Sequence, residues 1–395
     1  MKYFGMLSIF FVLNAHANNP IDIWQEFVKE YSFDLNKQSF CFETNGEVVG
    51  MNINRKIRPA SVTKLYVTYW ALKNLKKDHR FHTEVLIDGN HLHIKGGQDS
   101  FFVSENLFAI MTQLNELGHT HFEKVTFDNN FFLNWTDDTK KIKTILKKYF
   151  NTRNWSSYIK SELNKTVLQS TEFSTSVKVN PILKLSVENV LFDESVPNNY
   201  QEKFTFSSSP LYMHLKQMNV YSTNFLAQKF FDYMGGTKAF HEFMNREFQT
   251  TKKDFYFYTG SGLGENYTTC SITLRLNKSL LKTITEQGLH ANQVISVPGS
   301  DTGTLRNRFT ETEYNKSILA KTGTLRHTST LSGYISTISG MTYFGVFNHT
   351  YETKKARTLQ NNFVKELYHY IPEKEFFDYK KIEYFPLLRA NLLTK

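Results

Sequence analysis

Across 395 residues there are two cysteines, Cys41 and Cys270, and neither stands at metal-ligand spacing from a histidine or another cysteine. A disulfide-dense scaffold is therefore excluded, and neither a metal nor a cofactor is expected. Two cysteines without a motif around them read more readily as two buried free thiols, with one long-range disulfide as the alternative. The chain also lacks solenoid repeats, low-complexity linkers and any nucleic-acid recognition element, so nucleic acid is not an expected partner. Beyond the first 17 residues no apolar run is long enough to cross a bilayer.

What is present is the composition of a globular chain. Hydrophobic residues make up 40% and the mean hydropathy is −0.42, enough core for two or three domains at this length. The N-terminus differs from the rest. Lys2, the apolar stretch Phe4 to Leu13 and the small-x-small triplet Ala15-His16-Ala17 form the three parts of a cleaved export signal. Residues 1–17 are read as that signal, which places the mature chain in the periplasm or outside the cell. The net charge of +10 comes mainly from dispersed lysines and would draw an exported protein toward an anionic wall or membrane surface.

Hydrophobic periodicity outlines the elements. Ser39 to Thr44 and Glu47 to Met51 flank Asn45-Gly46, the commonest tight hairpin signal, so a strand pair is expected to open the mature chain. After Pro59, the positions Leu65, Tyr69, Leu72 and Leu75 predict a helix. Short strands follow at Glu84 to Ile87 and His91 to Lys95. A lysine-rich amphipathic helix is expected over residues 139–150, its apolar face docked on its own domain. Leu211 to Met234 reads as one helical block stopped by Gly235-Gly236. Ser317 to Leu325, Leu331 to Thr337 and Met341 to Phe347 read as antiparallel strands before a closing helix from Thr353 to His369.

Three short motifs occur in order: Ser61-Val62-Thr63-Lys64, Ser222-Thr223-Asn224 and Lys321-Thr322-Gly323. The first pattern recurs at Ser157 to Lys160 and Ser279 to Lys282, and the second at Ser104 to Asn106. Lys-Thr-Gly occurs once and anchors the set. Ser61 stands at a helix N-terminus, where free N–H groups and the dipole favour developing negative charge. Lys64 lies on the same helical face and can take the hydroxyl proton if burial and a second cation, Lys321, lower its pKa. Ser222 can pass a proton to a leaving amine, and Asn224 can hold a substrate backbone. Gly323 leaves room for an extended peptide beside a strand, Lys321 and Thr322 can meet a terminal carboxylate, and the N–H groups of Ser61 and Thr324 would form an oxyanion hole.

With their flanks, Pro59 to Leu65, Tyr221 to Asn224 and Ala320 to Leu325, these motifs resemble the penicillin-binding proteins and serine β-lactamases. Gly260-Ser261-Gly262-Leu263, Pro298 to Leu305 and Leu331 to Tyr334 narrow the resemblance to class C low-molecular-mass penicillin-binding proteins, the penicillin-binding protein 4 type. The resemblance implies an α/β (α+β) fold with an antiparallel sheet flanked by helices, plus a smaller inserted β-rich domain. It assigns residues 18–80 and 205–395 to the peptidase domain and 81–204 to the insert. The spacing of 222 − 61 = 161 residues is shorter than in full-length relatives, so a nested subdomain is expected to be missing. Gly96 to Asp99 and Asp128 to Phe132 resemble turns of the inserted domain, and Asp128 is implied as a contact for the substrate's amine. After Leu263 the family carries Ser-Arg, whereas this chain has Gly264-Glu265, so the arginine contact to a substrate carboxylate is not carried over.

The implied activity is a D-alanyl-D-alanine carboxypeptidase and endopeptidase acting on peptidoglycan stems and crosslinks through a Ser61 acyl-enzyme, with β-lactams as covalent inhibitors. A β-lactamase is the rival enzyme, disfavoured because no Glu-x-x-Leu-Asn stretch lies between Ser222 and Lys321. A non-catalytic wall-binding protein is the third reading, disfavoured by the intact motifs.

Overall fold

Asn19 before Pro20 is a helix start in two residues: the amide oxygen accepts from the Ile21 N–H (3.1 Å), and proline needs no donor in the first turn. A helix, α1 (Pro20–Glu30), therefore opens the described chain ahead of the strand pair expected there. The computed structural model describes residues 19–44, 46–197, 199–381 and 384–394. The expected leader and Asn45 of the hairpin turn lie outside them.

The hairpin follows as β1 (Gln38–Thr44) and β2 (Glu47–Met51), then a 3-10 turn at Ala60–Val62 runs into α2 (Thr63–Leu75). The chain then builds a second sheet region with β3 (His82–Asp88), β4 (His91–Lys95), α3 (Ser104–Glu116) and β5 (His121–Phe127). It continues with α4 (Thr139–Tyr149), α5 (Ser157–Glu172), β6 (Ser186–Phe192) and β7 (Glu202–Ser207). Four helices return it: α6 (Leu211–Tyr221), α7 (Asn224–Tyr233), α8 (Gly236–Phe248) and α9 (Cys270–Glu286). The strands β8 (Ile318–Leu325), β9 (Thr328–Thr337) and β10 (Gly340–His349) precede α10 (Thr353–Tyr370) and β11 (Asn391–Thr394).

Two sheets result. The first is antiparallel throughout, in the order β2-β1-β10-β9-β8, so β8 is an edge strand. Trp24 of α1, Phe40 of β1 and Phe363 of α10 pack ring to ring on one face, and α9 covers the other with α2 behind it. Helices on both faces account for the nearly continuous burial of β1 and β9. The second sheet is mixed, in the order β11-β7-β3-β4-β5-β6, with β5 parallel to both its neighbours. Its last strand comes from the C-terminus, pairing Asn391 with Ser207, and it joins the chain's end to the segment read as an insert. Ile142, Leu146 and Tyr149 of α4 are buried in this second core, so the lysine-rich helix docks inward by its apolar face.

Leu211 to Met234 is not one helix. Ser222 takes a left-handed conformation (φ 60°, ψ 39°) and separates α6 from α7. Apolar residues stay in phase across the break, so periodicity could not register it.

The reading of two free thiols is corrected: Cys41 of β1 and Cys270 at the start of α9 form a disulfide, with Cα atoms 5.9 Å apart across 229 residues of sequence. Both residues are fully buried, and Gly345 of β10 leaves space beside the two sulfurs. Pairing depends on which strand faces which helix, information absent from residues flanking either cysteine. Closing so long a loop restricts the unfolded chain, and replacing both cysteines by serine is expected to cost about 2–5 kcal/mol. Urea unfolding would check this: the variant should match reduced wild type, and equal midpoints for oxidised wild type and variant would deny the bridge a stabilising role.

Candidate active site

Ser61 lies in the 3-10 turn that leads into α2, where the first N–H groups have no helical partner. Ala60 before it has φ +50°, a left-handed value costing a non-glycine residue about 1–2 kcal/mol. The opposing loop holds it there: Gly262 has φ +85°, and a Cβ on it would come within 2.0 Å of the Ala60 carbonyl oxygen. Strain of this kind persists where the surroundings over-determine it. Here it turns the Ser61 hydroxyl into the cleft.

Lys64, one turn further on, is fully buried. Its Nζ lies 2.9 Å from Ser61 Oγ, 2.8 Å from Asn224 Oδ1 and 2.8 Å from the Ser261 carbonyl oxygen. The last two atoms can only accept. A neutral amine can donate its two N–H bonds to them and turn its lone pair to the Ser61 hydroxyl. Burial pulls the Lys64 pKa down from 10.5 to about 7, so a large fraction is in that neutral form near neutral pH. The other Ser-x-x-Lys copies lack this feature, since Lys160 and Lys282 are exposed.

The break between α6 and α7 supplies the second motif. Its left-handed turn aims Ser222 Oγ to 2.9 Å from Lys321 Nζ, while Asn224, first residue of α7, reaches Lys64 from the other side. Lys321 is itself fully buried and also donates to the Thr322 carbonyl oxygen (2.8 Å). Its burial first, and then the charge of Lys64, hold its pKa well below the ordinary lysine range. The two amines feel each other's charge, so one of them is protonated more readily than both.

On β8, the Ala320 N–H points away from β9, donating to the Ser296 carbonyl oxygen (3.1 Å). Strand alternation turns the N–H groups of Thr322 and Thr324 to the same free edge. Gly323 is required by contact: a Cβ would lie 2.7 Å from the Pro59 carbonyl oxygen and 2.9 Å from the Ser61 nitrogen. The edge strand thus passes directly beside the Ser61 nitrogen. Thr322 Oγ1 meets Thr304 Oγ1 at 3.0 Å, and Thr324 Oγ1 accepts from Arg357 Nη2 at 3.1 Å.

All three motifs therefore converge. Asp128 stands apart, with Oδ1 accepting from the N–H groups of Gly96 (2.9 Å) and Asn130 (3.1 Å). Burial raises its pKa, and these bonds oppose the shift. Its turn borders the cleft through Phe132, which packs edge-on against Phe225, the residue after Asn224. The Ser261 carbonyl, Thr304 and Arg357 were not assigned from sequence. The first acts through its backbone, which has no residue signature, and the other two depend on packing of distant segments. Among the described residues, no group of three His, Cys, Asp or Glu could hold a metal ion.

Two serine–lysine pairs meeting under an edge strand, on an antiparallel sheet with helices on both faces, define a serine acyl-transfer enzyme of the penicillin-binding and β-lactamase fold. The chain belongs to the D-Ala-D-Ala carboxypeptidase 3 (S13) family, whose model matches residues 41–180 and 184–369. No curated protein sequence matches it. Among solved structures it is similar to the Bd3459 predatory endopeptidase of Bdellovibrio bacteriovorus in complex with immunity protein Bd3460, at TM-score 0.81 and 25% identity over 92% of this chain and 100% of that one. The penicillin G acylated form of Bd3459 gives 0.80 and 26%, over the same shares of the two chains. Penicillin-binding protein 4 of Haemophilus influenzae shares the fold at TM-score 0.59 and 17% identity, over 89% of this chain and 99% of that one.

Proposed function

We propose that the chain is an exported DD-peptidase that cleaves peptidoglycan crosslinks as well as terminal D-Ala. One observation carries this reading: the buried Lys64 amine stands 2.9 Å from Ser61 Oγ while a second lysine stands 2.9 Å from the Ser222 hydroxyl. Neutral Lys64 takes the Ser61 proton as Oγ attacks the D-Ala carbonyl carbon. The tetrahedral oxyanion lies between the N–H groups of Ser61 and Thr324. As the C–N bond breaks, the electron pair goes to nitrogen and Ser222 protonates it. The proton that Lys64 took from Ser61 then passes to Ser222, which restores both groups. Water, deprotonated by Lys64, then attacks the ester carbonyl; as the bond to Ser61 Oγ breaks, Lys64 returns the proton to that oxygen and both residues are restored. A β-lactam follows the same path to the ester. Its amine stays tethered, which blocks the water.

Export rests on the three-part leader of residues 1–17 and fits a substrate found outside the cytoplasm. Crosslink cleavage is supported by similarity to Bd3459, a peptidoglycan endopeptidase, and by the short spacing between the first two motifs, which is expected to leave the cleft more open to bulky substrate. Purified sacculi digested with the mature protein should lose crosslinked dimers at rates comparable with soluble fragments, read by muropeptide separation. Pentapeptide loss with dimers untouched would refute the endopeptidase activity.

A further inference from the structure

A cavity of about 670 Å3 opens beside the catalytic centre, bounded by Tyr221, Thr304, Thr322 and Thr324. Its position relative to the reaction follows from two atoms. The oxyanion sits at the Thr324 N–H, and the proton for the leaving nitrogen comes from Ser222, bonded to Lys321. The leaving group therefore extends from Ser222 past Thr322 and Thr304. That path leads into the cavity, whose wall includes the residue adjoining Ser222.

Arg306, Arg308 and Arg357 line the same cavity, and no acidic residue does. None of the three forms an ion pair among the described residues. Arg306 and Arg357 are exposed, where a lone cation is ordinary. Arg308 is not: it is 8% exposed, and its guanidinium meets uncharged groups, Asn361 Oδ1 at 2.6 Å, Gln360 Oε1 at 3.3 Å and the face of the Phe309 ring. A buried charge without a counter-ion is costly, and burial together with Arg357 pulls its pKa down to about 9. An anion entering the cavity would supply what this guanidinium lacks.

The two proposed reactions place different groups here. Release of terminal D-Ala sends out one small residue with one carboxylate, which the threonines and Lys321 can meet. Cleaving a crosslink sends out a whole stem peptide, with a carboxylate beside the freed amine and another at its own C-terminus. Three unpaired arginines around a cavity several times larger than an alanine match the second case. We infer that this cavity is a subsite for the carboxylates of the leaving stem, and that it favours crosslinked dimers over pentapeptides. The inference rests on the DD-peptidase reading above.

The test uses the mature protein and defined muropeptides. Arg306→Gln combined with Arg357→Gln changes two exposed positions, and Arg308→Lys serves as a separate, milder probe of the buried one. The double variant should lose about ten- to a hundredfold in kcat/KM on a crosslinked dimer, and at least five times less on soluble pentapeptide. With the wild-type protein, amidating only the carboxylate at the leaving stem's own C-terminus should reproduce the dimer loss without any substitution. Equal losses on dimer and pentapeptide, or equal rates on amidated and free dimers, would overturn the subsite. If wild type cleaves no dimer, the endopeptidase reading falls by itself. The subsite is then decided by titrating free tetrapeptide into Ser61→Ala protein: at least tenfold tighter binding than to the same protein carrying the two arginine changes upholds it, and equal affinity overturns it.

Discussion

Replacing Lys64 by alanine is expected to slow acylation of Ser61 by a penicillin about a thousandfold, the usual range for loss of a positioned general base. The hydroxyl loses a partly neutral amine held 2.9 Å from it. Asn224 Oδ1 and the Ser261 carbonyl, which orient that amine, cannot replace it because neither becomes a useful base near neutral pH. A fluorescent penicillin followed by stopped-flow or gel labelling reads the rate directly. Ser61→Ala should remove the label altogether, and labelling of that variant at Ser157 or Ser279 would overturn the assignment. The wild-type pH profile supplies an independent check. The base works unprotonated and its pKa is about 7, so the acylation rate should rise as pH increases through 7 and level off above it. A rate independent of pH between 5 and 9, about two units either side, would mean that Lys64 is not the base.

Lys321→Ala should lower kcat/KM on pentapeptide by about a hundredfold. The side chain joins Ser222 Oγ to the Thr322 carbonyl on the substrate edge, and a buried charge-assisted contact is worth roughly one to two orders of magnitude in rate. Its removal should leave Ser222 unoriented and take away the cation proposed to meet the substrate carboxylate. Lys321→Arg restores the charge but not the shape. In a fully buried position the planar guanidinium should recover part of the activity and stay below wild type. Steady-state kinetics on the three proteins decide it: equal values would refute an electrostatic role, and equal losses for Ala and Arg would point to shape instead of charge.

How much of this could be read from sequence depends on whether the information is local. Ser61, Lys64, Ser222, Asn224 and Lys321, which the structure brings together, could be singled out because each lies within a run of three or four residues. The strands β8 to β10 were legible for a similar reason, as they follow one another along the chain with only short turns between them. Local signals also missed elements they could have found: the capped start of α1 at Asn19-Pro20 passed unread. Other features arise only when distant segments meet. The disulfide needs β1 opposite α9, the Lys64 amine needs the Ser261 carbonyl, and the strained Ala60 needs Gly262 against it. Asp128 shows the converse. Its motif suggests a substrate contact, whereas the structure engages one of its oxygens with the amides of its own turn and of Gly96.

The Cys41–Cys270 bridge also bears on what a protease can do to the molecule. It closes a covalent ring that carries β3 to β7 and two of the three motifs, Ser61 to Lys64 and Ser222 to Asn224. A cut anywhere within that ring opens it without releasing a fragment. The exposed residues 194–196 and 199–201, between β6 and β7, are the natural place for such a cut. The clipped ends would stay tied through β1 and α9, which pack against each other in the first core. Nicked protein would run as one band on a gel until reduced and then as two, with its nucleophile and second lysine still in one molecule until that moment.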